Sequence, residues 1–152
     1  YVIAWQIVKM EKKIFILVYK FFVFYPLSGN ICRSPTAEAV LNHVLKERNM
    51  TNWDVDSAAI GSWHVGLGPD SRAVSVMKRH NIPMKHKARQ LTKADFVHYD
   101  YIFGMDHDNI SDIKARAPKT YTARIELFGS YDLKKELIIR DPYYVSCMSF
   151  SI

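Results

Sequence analysis

The chain has 152 residues, is 49% hydrophobic and 24% charged, and shows no internal repeat, which is typical of one globular domain with a substantial core. Its net charge of +6 favours anionic partners in a general way, but the basic residues are scattered and no recognition motif is present, so we expect no nucleic-acid partner. Two cysteines and six dispersed His residues form neither a disulfide framework nor a zinc spacing, so we expect a reducing, cytoplasmic setting with no metal and no cofactor.

The N-terminal segment, residues 1–26, is far more apolar and aromatic than the rest of the chain. Its centre reads IFILVYKFFVFY, which is typical of a strand that is covered on both faces. A basic start before an apolar run also imitates a signal peptide, but Lys20 interrupts the run. Residues 14–27 are also fewer than the about 18 to 20 that a membrane helix needs. We therefore expect a buried first strand behind a foreign extension, and no membrane association.

A helix is predicted directly after this strand and a short loop, over SPTAEAVLNHVLKERN. Ser34 could cap this helix, and Pro35 could take its first position. Apolar residues recur along it at helical spacing, at Ala37, Val40, Leu41, Val44 and Leu45.

The next elements are a second strand within WDVDSAA and a second helix. Asp70 is expected to cap that helix, which should run to about His80. The residues expected to face inward are Ala73, Val74 and Met77. Further on, LTKAD resembles a capping box at Thr92.

The last predicted elements are a third buried strand in HYDYIFGMD, a short helix from about Asp108 to Arg116 and a fourth strand in ARIELFGS. Strands that alternate with helices favour an α/β fold with a parallel sheet. Ligands of such sheets lie beyond the carboxyl ends of the strands. The loop at residues 28–34, Asp106 and the approach to Asp141 all fall there, so the chain order predicts one pocket.

The loop before the first helix has the groups that a phosphate site needs. Backbone amides from Ser28 to Arg33 could form an anion cradle at the helix N-terminus. Arg33 could hold two phosphate oxygens in a bidentate fork, and Ser34 could donate its hydroxyl to a nearby thiolate. The alternative is a plain strand-to-helix turn with a surface Arg, since short Gly-containing loops are common.

Several separate stretches occur in the order of one known family, namely GNICRSPTAEAV, VDSAA, MKRHNIPMKHKARQLTKADF, DYIFGMD, IELFGSYD and LIIRDPYY. Together they resemble the low-molecular-weight protein tyrosine phosphatases over residues 29–144. The resemblance implies a four-stranded parallel sheet flanked by helices, no metal, and a cysteinyl-phosphate intermediate. It also implies phosphotyrosine proteins or small aryl phosphates as substrates, and it leaves the oligomeric state open.

The resemblance assigns roles to single residues of the loop. Arg33 matches the phosphate-gripping Arg, and Ser34 the hydroxyl that holds the nucleophile as a thiolate. Asn30 matches a loop Asn with unusual backbone geometry, held by Ser57 and His86. The full phosphate-binding set is Ser28, Gly29, Asn30, Ile31, Cys32, Arg33 and Ser34.

Other matched residues surround the loop. Asp106 matches an acidic residue near the Arg, although alone it would be a solvated carboxylate, as His86 alone would be a surface His. Asp141 matches the general acid, and without the family it would be an ordinary Asp-Pro turn. Tyr143, Tyr144 and Trp63 match the walls of an aromatic slot that suits a phenyl phosphate, although single exposed aromatic residues are common.

The chain departs from the family at the nucleophile. The family has Cys, five residues and Arg, and counting back six from Arg33 gives Leu27. Cys32 matches the family's second loop cysteine, which normally guards the first by a disulfide. Ser28 is one place late and has no evident base. As written, the chain is expected to be inactive, or to act as a phosphate-binding or phosphotyrosine-binding module without catalysis.

The departure has sharp limits along the chain. The phosphatase domain is expected over residues 27–144, between the atypical segment 1–26 and an atypical tail, residues 145–152, that stands where a C-terminal helix is expected. Abrupt loss of similarity at both ends predicts a faulty or fragmentary gene model, and a genuine pseudophosphatase is the alternative. An arsenate reductase of similar fold would need further redox cysteines, and only Cys147 is available.

Overall fold

A parallel sheet lies at the centre of the computed structural model, which describes the backbone of residues 14–17 and all of residues 29–134 and 136–139. Its strands are β1 (Ile14–Leu17), β2 (Val55–Ala58), β3 (Tyr101–Gly104) and β4 (Arg124–Leu127). They pair in the order β2-β1-β3-β4, and each pairing is parallel. The α/β class that the alternation of elements predicted is confirmed.

Four α-helices connect or follow these strands: α1 (Arg33–Glu47), α2 (Ser71–Arg79), α3 (Asp95–His98) and α4 (His107–Arg116). A 3-10 helix, Phe128–Tyr131, follows β4. Among the residues that the structure describes, no helix is long and apolar enough to cross a membrane.

Strand β3 is buried on both faces, and its side chains divide the core into two layers. Tyr101 and Phe103 pack with Leu41 and Val44 of α1. Ile102 points the other way, as successive strand residues do, and packs in the cluster that contains Ile113 of α4. Helices therefore cover both faces of the sheet, which explains why β3 reads as a continuous apolar run.

One prediction about the start of the first helix needs correction, and the strand before it is described only in its first four residues. The pattern predicted a strand over residues 14–25, of which Ile14–Leu17 form β1, and residues 18–28 lie outside the described residues. Ser34 does not cap α1, which begins at Arg33 with Cys32 as the preceding residue. The Ser34 hydroxyl instead accepts a hydrogen bond from Asn30 Nδ2, so tertiary contact replaces the local cap.

The second helix confirms its predicted cap but not its predicted inner face. Asp70 accepts a hydrogen bond from the Arg72 amide at 2.8 Å. Val74 is 38% exposed, and Val76 is buried instead together with Ala73 and Met77. Positions 73, 76 and 77 share one helical face, from which residue 74 is displaced by about a quarter turn.

Of the two hydrogen bonds of the predicted capping box at Thr92, the one accepted by the Asp95 side chain is present. The Asp95 carboxylate accepts from the Thr92 amide at 2.7 Å and from the Thr92 hydroxyl at 2.9 Å. The remaining predicted elements, β2, β3, α4 and β4, lie where the sequence placed them.

The strand order has a switch point at β1, because the connection from β1 leads to β2 on one side of it and the next connection leads to β3 on the other side. A crevice opens at such a switch point, beyond the carboxyl ends of the strands. The loop before α1 contacts Ser57 of β2 and Asp106, which follows β3, and therefore lies at this crevice.

Candidate active site

The loop before α1 has a backbone suited to an anion. Asn30 is buried and has a left-handed conformation, with φ at +57°. Among the described residues, the amides of Asn30, Ile31 and Ser34 donate no hydrogen bond; the first two precede α1 and the third lies in its first turn. Free amides at the N-terminus of a helix form a favourable site for a negatively charged oxygen.

The Asn30 side chain ties this loop to two neighbouring segments. Its Nδ2 donates to Ser34 Oγ at 2.9 Å and to Ser57 Oγ at 2.8 Å. Its Oδ1 accepts from the Arg89 amide at 3.1 Å and lies 2.8 Å from His86 Nε2. The resemblance predicted Ser57 and His86 as the partners of Asn30, and the structure brings these three side chains together. Ser34, which was predicted to hold the nucleophile, also bonds to Asn30.

Glu38 joins the same network and was not among the predicted site residues. Its Oε2 accepts from Ser57 Oγ at 2.6 Å and lies 3.1 Å from His86 Nδ1. Both ring nitrogens of His86 therefore face oxygen atoms, one from Asn30 and one from Glu38. One signal was available, since Glu38 is the only acidic residue in the first three turns of α1.

Arg89 anchors the segment that carries His86, and it too was not predicted. Its guanidinium donates to Asp56 at 2.7 Å and to both carboxylate oxygens of Asp95 at 3.0 Å. Burial acts to lower the pKa of Arg89, but these carboxylates outweigh it and raise the pKa. Burial acts to raise the pKa of Asp95, but the pairing with Arg89 and the hydrogen bonds from Thr92 outweigh it and hold this pKa below its usual range.

Arg33 lies at the start of α1 with its side chain almost fully buried. Its Nη1 donates to the Ile139 carbonyl at 2.6 Å and lies 3.5 Å from Asp106 Oδ2. The other oxygen of Asp106 accepts from the Asn109 amide and so caps α4. Asp106 therefore lies between the Arg33 guanidinium and the start of α4, while the shorter hydrogen bond of the guanidinium is to Ile139.

Trp63 extends from the loop after β2 and is 68% exposed. Its ring covers Gly61 so closely that a side chain at Gly61 would overlap the indole. His64 is buried beside the phosphate loop, and a Cβ at Gly29 would come within 2.9 Å of His64 Nδ1. The absence of a side chain at Gly29 therefore allows the His64 ring to pack against the phosphate loop. The sequence analysis did not predict this contact.

Several predicted site residues fall outside the described residues, namely Leu27, Ser28, Asp141, Tyr143 and Tyr144. Ile139, two residues before Asp141, is described, and its amide donates to the Met105 carbonyl at 2.9 Å. Cys32 is partly buried, and its carbonyl accepts from the Thr36 amide and hydroxyl. Within the described ranges, no group of three His, Cys, Asp or Glu side chains could hold a metal ion.

Comparison with known proteins shows which family the chain is similar to. The family model described as low molecular weight phosphotyrosine protein phosphatase matches residues 23–151. The human protein of that name is 53% identical over 125 residues, which cover 80% of this chain and 79% of the human protein.

Solved structures are similar as well. Primo-1 superposes with a TM-score of 0.77 and 44% identity, covering 88% of this chain and 82% of Primo-1. A Drosophila arginine phosphatase superposes with a TM-score of 0.76 and 38% identity, covering 91% and 84% of the two chains. The chain belongs to the low molecular weight phosphotyrosine protein phosphatase family.

Proposed function

We propose that residues 28–34 form the phosphate-binding loop of a site for phosphotyrosine and small aryl phosphates. The observation that carries this proposal is the buried Arg33, which lies 3.5 Å from Asp106 and beside the amides of Asn30, Ile31 and Ser34; those three amides donate to no acceptor among the described residues. A guanidinium and free amides together match the oxygens of a phosphate monoester. The exposed Trp63 supplies an aromatic wall for the phenyl group.

The family reaction assigns a step to each group. A thiolate six residues before Arg33 would attack phosphorus, forming an S–P bond while the bond from phosphorus to the tyrosine oxygen breaks. Asp141 would protonate that departing oxygen and would then accept a proton from the water that releases phosphate and regenerates the thiolate. Arg33 would stabilise the charge on the transferring oxygens. Asp141 must start protonated, so the proposal includes a mildly acidic optimum.

This chain carries Leu27 at the position of the thiolate, and a leucine side chain has no atom that can attack phosphorus. We therefore propose that the chain as written binds phosphate and phosphotyrosine but does not hydrolyse them. Sequencing the transcript across residues 20–30 tests whether Cys is encoded there, which would make the protein an active phosphatase. The domain limits 27–144 and the cytoplasmic location stay predictions.

Binding is tested first, by titrating the chain as written with inorganic phosphate and phenyl phosphate in calorimetry. Arg33→Ala should weaken both by more than about 10-fold, because a charged hydrogen bond in a part-buried site is lost. Arg116→Ala, which removes an exposed Arg at the end of α4, is the matched control and should change neither affinity. Equal loss in both variants would indicate non-specific charge attraction and would refute the site.

Turnover is tested by Leu27→Cys in a chain whose ends are restored to the family pattern. It should hydrolyse an aryl phosphate with a rate that falls on both sides of a mildly acidic optimum, and Leu27→Ser should not. Adding Asp141→Ala should slow the repaired chain about 100-fold, the usual scale of general acid catalysis. A repaired chain that folds and binds phosphate without turnover would leave the binding module as the function.

A further inference from the structure

Positive charge is concentrated in one segment, although the basic residues look scattered along the whole chain. Residues 71–94 contain seven of the 21 Lys and Arg and none of the 15 Asp and Glu. The rest of the chain therefore has fourteen basic residues against fifteen acidic ones. The net charge of +6 thus arises entirely in α2 and the segment that leads to α3.

Two of these seven cations have carboxylate partners. Arg72 pairs with Asp70, and Arg89 pairs with Asp56 and Asp95. The other five form no ion pair with any residue that the structure describes, and all five are exposed. They are Lys78, Arg79, Lys85, Lys87 and Lys93.

Lys85 and Lys87 lie beside the phosphate loop. They flank His86, whose ring contacts Asn30, and they are exposed while the His86 side chain is buried. Segment 88–91 runs beside Ala59 in parallel register, bonded through the Arg89 carbonyl and the Leu91 amide. The two ammonium groups therefore lie on the outer side of the segment whose inner side supports the phosphate loop.

Apolar side chains adjoin these two lysines. The Gly66 amide donates to the Ala88 carbonyl at 2.7 Å, and the Ala88 amide donates to the Leu67 carbonyl at 2.8 Å. Val65 and Leu67 are each 53% exposed, in the same loop as Trp63. The exposed Val65 and Leu67 thus lie in a segment that is hydrogen-bonded to Ala88, the residue after Lys87. We call Val65, Leu67, Lys85 and Lys87 the rim.

We propose that the rim selects the residues that flank the phosphotyrosine, and that it prefers segments with an acidic and an apolar neighbour. This inference rests on the proposed function of the phosphate loop. A phosphotyrosine ring against Trp63 would place adjacent peptide residues over Val65 and Leu67, with Lys85 and Lys87 one segment away. Exposed lysines pair readily with Glu or Asp, while exposed valine and leucine offer apolar contact area.

The experiment measures peptide binding to the full chain, whose Leu27 should prevent turnover during the titration. Two fluorescent phosphotyrosine peptides of equal length are compared, one flanked by Glu and Leu and the other by Lys and Ser. At low salt the acidic peptide should bind about 10-fold more tightly, and the ratio should fall below about 2-fold in 0.5 M NaCl, where screening is strong.

Two charge-matched double variants locate the effect. Lys85→Ser with Lys87→Ser should remove most of the preference for the acidic peptide and keep the affinity for phenyl phosphate within about 2-fold. Lys114→Ser with Lys119→Ser loses the same charge from exposed positions in and after α4, and it should keep the full preference. Equal loss in both variants would reduce the effect to net charge and overturn the proposal.

A third variant tests the apolar half of the rim. Val65→Ser with Leu67→Ser should weaken the peptide that contains Leu about 5-fold and leave a peptide with Glu and Ser flanks unchanged. If phenyl phosphate binds but neither flank matters, the rim inference fails and the phosphate site stands. If phenyl phosphate does not bind, the proposed function itself fails. A face that binds phosphatidylserine vesicles through Lys85 and Lys87, with no peptide preference, would be a membrane contact and would also overturn the proposal.

Discussion

At the scale of single residues, Asn30 makes more of the hydrogen bonds that hold the phosphate loop than its small side chain suggests. The left-handed conformation at φ +57° is one that Asn tolerates better than most residues with a side chain. Its amide group then reaches four polar partners, contributed by α1, β2 and segment 86–89. The family resemblance identified Asn30, Ser57 and His86, but residue patterns alone could not, because their partners are 27 to 59 positions apart.

Replacing Asn30 by Ala should lower the free energy of unfolding by about 2 to 4 kcal/mol, because several buried partners lose a hydrogen bond and Ala adopts a positive φ poorly. Phosphate affinity should fall at least 10-fold, since the loop amides lose their fixed arrangement. Urea unfolding and phosphate titration measure the two effects.

Asn81→Ala is the matched control, because Asn81 has φ at +58° but is exposed and has no side-chain hydrogen bond among the described residues. It should cost about 1 kcal/mol, the penalty of the backbone alone, and leave phosphate affinity unchanged. Similar losses in the two variants would mean that the conformation, rather than the network, supports the loop.

At the scale of elements, local signals located most helices and strands, whereas tertiary contacts decided their details. Asp70 caps α2 as its position predicted, because the cap depends only on adjacent residues. Ser34 has the same capping chemistry but points at Asn30, because a partner from the phosphate loop competes for it. Val74 was assigned to the core by its apolar side chain, although the helical face centred on Ala73 excludes it.

The cap of α2 also adjoins the phosphate loop, since the Asp70 amide donates to the Ile31 carbonyl at 2.7 Å. Asp70→Ala removes the carboxylate but keeps this amide. It should therefore lower the free energy of unfolding by about 1 kcal/mol, the usual worth of a cap, without changing phosphate affinity. Chemical denaturation and calorimetry on one sample separate the two quantities, and a weaker phosphate affinity would show that the carboxylate itself supports the loop.

The ion pairs between segment 86–89 and α3 should make stability depend on pH. Burial acts to raise the pKa of Asp95, but hydrogen bonds from Arg89 and Thr92 outweigh it, so the folded pKa lies below the usual 3.8. Such a group stabilises the fold above its unfolded pKa, and this stabilisation is lost as pH falls through the folded pKa.

Asp95→Asn should therefore lower the free energy of unfolding by about 2 kcal/mol at pH 7, with the difference from the parent narrowing below about pH 4. Urea unfolding at several pH values measures this. Asp54→Asn breaks the exposed pair with His98 and should cost less than about 1 kcal/mol. A difference for Asp95→Asn that stays constant down to pH 3 would contradict the carboxylate as its origin.

At the scale of the whole molecule, alternating strands and helices were enough to predict the class and the edge of the sheet where the site lies. Parallel strands end at one edge, which predicted that Asp106 and the phosphate loop are neighbours there, and Arg33 lies 3.5 Å from Asp106. No comparable rule of sheet topology predicts the contacts of Glu38 with His86 or of Arg89 with Asp56. They depend on how the helices and irregular segments pack, which periodicity does not encode.

The distance along the chain between β1 and the phosphate loop has a consequence for the entropy of chain closure. The described part of β1 is Ile14–Leu17 and the described part of the phosphate loop begins at Gly29, so eleven residues, 18–28, separate these two parts of the chain. Closing such a connection costs free energy that grows with the logarithm of its length, and eleven residues cost roughly 1 kcal/mol more than four.

Deleting residues 19–25, which leaves Leu27 and Ser28 in place, should therefore raise the free energy of unfolding by roughly 1 kcal/mol and leave phosphate affinity unchanged. A deletion that destabilises the chain would show that those residues add contacts worth more than their closure cost. The side chain of Asn30 hydrogen-bonds the loop to β2 and to segment 86–89, so the position of the loop does not depend only on the chain that precedes it. Its geometry can therefore tolerate changes in the length of the connection that precedes it.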